Sequence, residues 1–529
     1  MAQIAESFEV SSDSVRTRDL TSGSPLDATK ERDGLRDSTG SDLAALEKAQ
    51  ESTAPGDDAL KIVSGEIRWV TEEENKAVLR KIDRHIMPVL FVIYFLQFMD
   101  KTTLALSSVF GIVHDTHLEG DQYSLLGSIT AIAQMVLQPL SAYFLVRLPL
   151  PIYMPCLLGA FETSTQAAFI LVGQMWYKRQ EQGIRLAIWY SNVGWVNIFG
   201  SLIMYGFGHV QSGPVQSYNL AFLVLGIITA AIGIGAFFVF PDNPVRCKFL
   251  TPEEKVIAVE RLRSNQQGLE TKVFKFKQVL ETLLDLKSWC WMGLMLLYAI
   301  PNAAITVFGP MIIRGFGYDG YEVMLFLMPY GALQVICVLV AFWLSNKYRL
   351  KLPVALLFLA LCIVGTVILF TQGRSKENQP ALLFAYYLLS ASTAVAPTFL
   401  SWQAVNVAGH TKKTSTTALT IMGSYTGGIV GPLLFEPKDG PYYHDGILAC
   451  IICYSAAAVL SCITGLYLHY LNKRNEERRV KAGKAAKIVD YSMMDFNEGD
   501  GQAQAQANVG KRAFEDLTDL QNDEFIYVL

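Results

Sequence analysis

Charge is scarce in this sequence, and over long stretches it is missing altogether. Only 17% of the 529 residues are Asp, Glu, Lys or Arg, against 51% hydrophobic and a mean hydropathy of +0.28. Soluble domains carry about 25% charged residues, so the composition sets that class aside, and the net charge of -4 says little about partners. Cysteines number eight and mostly sit inside apolar runs; Cys450 and Cys453 form a CxxC with no second pair or nearby His, which reads as packing on a membrane helix, not as a redox or zinc site. Metal, nucleotide and nucleophile motifs are absent. Residues 423–431 (GSYTGGIVG) lie within an apolar run, without the preceding strand and following Lys of a phosphate loop, and so predict close helix packing. No enzyme, cofactor, metal or nucleic-acid partner is expected. Residues 1–65 are polar and acidic and lack the apolar segment of a secretory signal, which predicts a disordered cytoplasmic arm.

What is present is membrane-length apolar sequence. A bilayer core about 30 Å thick needs roughly 20 apolar residues per helix. Residues 289–310, 323–345, 352–371, 380–408, 415–435 and 447–471 each supply them. Basic clusters follow every second span: Lys347, Arg349 and Lys351, then Lys412 and Lys413, then Lys473, Arg474, Arg478 and Arg479. The positive-inside rule places these loops in the cytoplasm. Upstream, Thr71 and Glu74 make a capping box that opens an amphipathic segment, 72–85, expected on the inner surface, followed by spans at 86–106, 123–146, 186–207 and 219–240. The predicted organisation is an arm at 1–67, an N-terminal helical bundle at 68–240, a cytoplasmic loop at 241–288, a six-helix C-terminal bundle at 289–471 and a cytoplasmic tail at 472–529. Within the loop, Thr251, Pro252 and Glu254 predict a capped helix running to Arg263.

Residues 148–177 break the pattern. Both flanks, Arg147 and Lys178, call for the cytoplasm, yet 30 residues extend only about 45 Å as a helix, enough to cross once and not twice. Two half-length segments, 148–160 and 161–177, forming a re-entrant hairpin, or the loss of about one span's worth of sequence, are the alternatives.

Several longer motifs carry a resemblance: YFLQFMDKTTL from Tyr94, WYKRQEQGIRLAIWYS from Trp176, FPDNPVRCKFLTPEEKVIAVERLR from Phe240, FGPMIIRGFGY from Phe308, MPYGALQV from Met328, NVAGHTKK from Asn406 and FEDLTDLQNDEFIYVL near the end. Together, from about residue 68 onward, the chain resembles the major facilitator superfamily, and within it the fungal allantoate permease family of anion:cation symporters. The resemblance implies an all-α polytopic membrane protein with the two-bundle fold, here with spans 3 and 4 shortened or fused, about 10 full spans plus a half-length hairpin. Relatives usually carry an arginine in the fourth span ahead of a glycine-containing run; here Leu157, Leu158 and Gly159 lead straight into Ala160, Phe161 and Glu162, and the arginine is missing.

The resemblance further implies proton-coupled symport of a small organic anion of the allantoate, ureidosuccinate or small-peptide type by a monomer in the plasma membrane. The alternatives are a vitamin carboxylate (nicotinate or pantothenate) carrier, which Asp100–Thr103 resemble less than the allantoate branch, and a transport-dead product or membrane sensor. In such a carrier substrate binds near the midplane between the halves. Amides, which both donate and accept, suit a carboxylate or ureide. Gln97, Asn192, Asn302, Gln334 and Asn406, with Tyr330 and Trp402 as walls, are therefore the substrate candidates, drawn from a wider set that includes Gln134, Gln138, Asn197, Gln403, Trp195 and Tyr298. Each could equally be a bond between helices. Glu162, in mid-span, is the first candidate for proton coupling and Asp100 the second; Asp100 with Lys101 could instead cap the helix at the interface.

Because 148–177 cannot supply two full crossings, transport by the chain is expected to be impaired. Expression beside a version with a relative's segment inserted between Leu158 and Gly159 tests this: equal surface level and uptake from both would show that the short stretch is a working design.

Overall fold

The first helix starts where its cap requires. Thr71 Oγ1 accepts from the Glu74 N–H at 3.3 Å while Glu74 Oε2 accepts from the Thr71 N–H at 3.1 Å, satisfying two of the free donors at the helix start. From there α1 runs unbroken over Glu72–Ser107, 36 residues and so about 54 Å. The sequence reading divides this stretch at His85; the structure does not. Pro88 removes one backbone donor without ending the helix, and the basic extension is held by ion pairs of Lys81 with Glu254 and Arg185 with Asp83, the latter bidentate at 3.0 and 2.7 Å.

The structure is a computed structural model that describes residues 71–110, 112–115, 122–147, 172–173, 176–177, 179–209, 216–239, 247–263, 275–348, 350–435, 439–481, 483, 518–522 and 525–528. All fall within the unit Arg68–Leu529. After α1 come α2 (Gln122–Arg147), α3 (Arg179–Tyr190), α4 (Asn192–Gly208), α5 (Ser217–Val239), α6 (Pro252–Arg263), α7 (Phe276–Leu284), α8 (Leu286–Arg314), α9 (Gly320–Tyr348), α10 (Leu352–Thr371), α11 (Gln379–Leu388), α12 (Val395–Val405), α13 (His410–Leu433) and α14 (His444–Lys481). Among the described residues no strand occurs, and eight helical stretches are long and apolar enough to cross a membrane. The expected hairpin at 148–177, with Glu162, lies almost wholly outside the described residues.

Two helices, α6 and α7, lie in the connection between the halves. In α6 the predicted cap is present, Glu254 Oε2 accepting from the Thr251 N–H at 3.0 Å, and His85 of α1 stacks on Phe249 just before it with centroids 4.5 Å apart. In α7, Phe276, Leu280, Leu283 and Leu284 leave one face apolar and exposed, the pattern of a helix lying in the interface, while Gln278 and Thr282 are buried on the other.

Lipid offers helices no hydrophobic reason to associate, so close van der Waals contact decides which ones pair. The glycine run of α13 meets α8 along its backbone. A Cβ at Gly423, Gly427 or Gly431 would stand 2.5, 2.8 or 2.3 Å from the carbonyl oxygens of Met292, Leu296 and Ile300 respectively. Both series climb in steps of four, so α8 and α13 run parallel, with one glycine per helical turn. Between α4 and α9 the order reverses. Gly194 and Gly331 each approach the other's carbonyl oxygen, at 2.3 and 2.5 Å from where a Cβ would be, and Tyr321 Oη donates to Gly208 O at 2.8 Å farther along, so these two helices run antiparallel. Because α4 precedes and α9 follows the long connection holding α6 and α7, this pair joins the two halves of the sequence.

Gly427→Val is expected to lower stability by about 1–3 kcal/mol, since the added atoms meet backbone that cannot rotate away. Gly226→Ala, where nothing lies within 4 Å, is expected to be neutral or slightly stabilising. Thermal unfolding of the two purified variants in one detergent distinguishes them; equal midpoints would mean the α8/α13 contact is not a close one.

Candidate functional site

A membrane stretch that stops being α-helical in mid-span frees backbone and small side chains for other work. Residues 379–405 do this. After α11, residues Leu389–Ala394 form a 3₁₀ segment, all six buried, before α12 resumes with Pro397 two residues in. The segment presents Ser392 and Thr393 toward α8 and α9. Thr393 Oγ1 accepts from Gln334 Nε2 at 2.9 Å, and Gln334 Oε1 accepts from Asn197 Nδ2 at 2.6 Å. Ser392 Oγ donates to Asn302 Oδ1 at 3.5 Å. A polar seam therefore links α4, α9, the 3₁₀ segment and α8, one turn from the Gly194/Gly331 approach. Aromatic rings wall it: Tyr330 and Tyr386 lie 4.7 Å apart by centroid, and Tyr298 is buried nearby in the same core.

A second polar cluster sits at the other end of these helices, on the face that carries the basic loops. Lys287 and Lys412 have no exposed side-chain surface. Lys412 Nζ donates to Glu281 Oε1 at 3.0 Å and forms ion pairs with Asp285 Oδ2 at 2.9 Å and Asp519 Oδ1 at 3.1 Å, and Lys287 pairs with Asp519 Oδ2. Burial pushes the Asp519 carboxyl up, but Lys287 and Lys412 together outweigh it and hold it below its ordinary value of 3.8; burial likewise opposes Lys412, and Asp519 with Asp285 carry it above 10.5. A depressed carboxylate contributes fully above 3.8 and loses that contribution as pH falls through its lower native value. A raised lysine contributes fully below 10.5 and loses it above. These two charges are therefore constant across the physiological range. An open recess of about 300 Å³ beside them, lined by Lys277, Leu280, Glu281, Leu284, Asp285 and Leu520, lies far from the seam.

The profile of the Major Facilitator Superfamily matches residues 152–432, more than half of the chain. The chain belongs to the major facilitator superfamily. Relatives within it include an MFS-type transporter, cnsL, of Penicillium expansum, 32% identical over 435 residues (81% of this chain, 87% of that one). The thiamine pathway transporter THI73 of Saccharomyces cerevisiae is 30% identical over 509 residues (90% and 91%), and the allantoate permease of the same yeast 29% over 514 residues (89% and 90%). Among solved structures, the partially occluded, inward-open xylose transporter XylE of E. coli aligns with TM-score 0.50 at 12% identity, covering 72% of this chain and 97% of that one, a likeness of fold. The chain is accordingly a multi-pass membrane transporter and not an enzyme.

Within the superfamily fold the candidate residues separate. Asn302, Gln334 and Tyr330 are drawn together at the seam, with Asn197. Gln97 is buried in α1, three residues before Asp100, which accepts from Thr229 Oγ1 of α5 at 3.2 Å. Lys101 donates to Gln134 Oε1 of α2 at 3.4 Å. Asn192 donates to Phe91 O at 3.4 Å, and its fully buried Oδ1 has no hydrogen-bond partner among the described residues. Trp402 and Asn406 are engaged elsewhere: Trp402 Nε1 and Asn406 Nδ2 both donate to Val528 O at 2.9 Å. The sequence reading does not single out Ser392 and Thr393. The run LSASTA, small and hydroxylated within an apolar span, is the signal that would have found them.

Replacing Gln334 by Leu removes both of its seam bonds, so that Thr393 Oγ1 loses its donor and Asn197 Nδ2 keeps only Val193 O. Uptake is expected to fall roughly tenfold or more, at about 1.4 kcal/mol per decade and 1–3 kcal/mol per buried group left unpaired, with little change in surface level. Unaltered uptake by Gln334→Leu would remove the seam from the transport path.

Proposed function

We propose that the chain is a proton-coupled symporter of a small organic anion, of the allantoate, ureidosuccinate or small-peptide type, acting as a monomer in the plasma membrane. The observation that supports this most is the seam itself: neutral amides and hydroxyls, with no charged side chain among the described residues that form it. Such groups bind a carboxylate or ureide by exchanging one another's hydrogen bonds for the ligand's. Asn302, Gln334 and Tyr330 are the proposed contacts, with Gln97 and Asn192 supplied from the other half. A vitamin-related substrate is the second reading, favoured by the 30% identity to the relative named a thiamine pathway transporter.

Coupling needs a group that loads and releases a proton as the site changes sides. Glu162 is the first proposed carrier and Asp100 the second. Asp100 accepts a hydrogen bond from the neutral Thr229 of α5.

In cells or proteoliposomes, labelled allantoate is expected to accumulate when the outside is acidic and to run down on adding a protonophore. Glu162→Gln is expected to abolish uphill accumulation while sparing exchange of substrate down its gradient. If Glu162→Gln still concentrates substrate with an unchanged pH profile, Asp100→Asn becomes the deciding variant; if both concentrate it, the coupling proposal fails. Uptake of nicotinate or thiamine in place of allantoate selects the second reading.

A further inference from the structure

The segment Thr518–Val528 is gripped by two kinds of contact that together define a binding site. The first kind reads the backbone. Asn406 Nδ2 donates to Val528 O at 2.9 Å and its Oδ1 accepts from the Val528 N–H at 2.8 Å. Asn472 does the same for the neighbouring residue, Nδ2 donating to Tyr527 O and Oδ1 accepting from the Tyr527 N–H, both at 2.8 Å. Each amide thus imitates one rung of a β-ladder on an extended peptide. Asn475 Nδ2 donates to Phe525 O at 3.1 Å and Arg478 Nη1 to Leu520 O at 2.9 Å.

The second kind reads side chains. Asp519 is fully buried, and its carboxylate takes Lys287 Nζ, Lys412 Nζ, the Ala408 N–H at 3.3 Å and Tyr527 Oη at 3.0 Å. The Tyr527 ring lies 4.7 Å from Lys287 Nζ. Helices α8, α13 and α14, with the turn of Asn406 and Ala408 between α12 and α13, supply the groups that hold the segment. Without the segment, Lys287 would keep only Asp285, at 3.7 Å, as an ion-pair partner among the described residues, whereas Lys412 would keep Asp285 and Glu281. That is the construction of a receptor for a peptide, and not of a chain end resting on a surface.

We infer that the basic-face end of the second half is a peptide-binding site whose ligand is formed by the chain's own residues 518–522 and 525–528, recognised by a buried acidic residue eight positions ahead of an aromatic one and by the backbone of Leu520, Phe525, Tyr527 and Val528. The site is independent of the transported substrate. It fastens α8, α12, α13 and α14 to one another, and it occupies Trp402 and Asn406.

The test uses the full chain with a protease site inserted between Asn508 and Val509. Cut in detergent after purification, the released fragment is expected to stay with the protein through size exclusion and to exchange slowly for a labelled synthetic peptide of residues 511–529. Placing the substitutions in the peptide leaves the membrane protein unaltered. Asp519→Asn in the peptide is expected to weaken binding by about a hundredfold, as for a buried ion pair broken on one side, and Tyr527→Ala to weaken it comparably. If the cut protein aggregates, added wild-type peptide is expected to prevent this and the Asp519→Asn peptide not to. Loss of the fragment on cutting with no change in unfolding temperature, equal binding of all three peptides, or aggregation that wild-type peptide does not relieve would each overturn the assignment.

Discussion

Close approach between helices is the constraint on which the structure rests. Apolar surface gains nothing by leaving lipid for protein, so a helix pair in a membrane holds only where backbones come near enough for dense van der Waals contact and short polar bonds. The chain meets this with glycine at two places of different character. Along α8 and α13 three glycines in register bring the backbones together over three successive turns. Between α4 and α9, Gly194 and Gly331 give one such backbone approach, and the contact continues along the helices to Tyr321 and Gly208. The first contact lies within one half; the second joins the halves, and the polar seam lies beside it.

Much of this was legible in the sequence, because local chemistry determines it. Thr71 with Glu74 and Thr251 with Glu254 are capping boxes by spacing alone, and the GSYTGGIVG run could only be useful to a neighbouring backbone once a phosphate loop was excluded. The single helix α1 was less legible. Its surface segment and its span have different polarity, and polarity does not reveal whether the backbone stays helical across the boundary. The 3₁₀ break near Thr393 also escaped, since hydropathy measures a span as one block and ignores its hydrogen-bond register.

Long-range pairing was the part sequence could not supply. Trp402 and Asn406 qualified as substrate contacts by residue type and by lying in a span that lines the cavity in this superfamily. Nothing local indicates that Val528, more than 120 residues later, would take both. Lys412 illustrates the same gap from the other side. Counted as a basic residue, it marks a loop; placed in the structure, it is buried against Asp285, Glu281 and Asp519. A charge that signals topology during insertion can end as a counter-ion in the folded protein, and the count is the same in either case.

The two polar clusters differ in what it costs to open them, and this suggests how the molecule divides its labour. The seam is made of neutral hydrogen bonds worth about 1 kcal/mol each net, and water or substrate can replace them. The Lys287, Lys412, Asp285 and Asp519 cluster is charged and enclosed, so that parting one of its members leaves an uncompensated ion at roughly 3–5 kcal/mol. Motion during a cycle should therefore run through the cheaper contact. The seam crosses between the halves, where α4 meets α9, whereas every group of the charged cluster and of the tail belongs to the second half. The inexpensive bonds lie where relative movement is needed, and the costly ones hold together the body that moves.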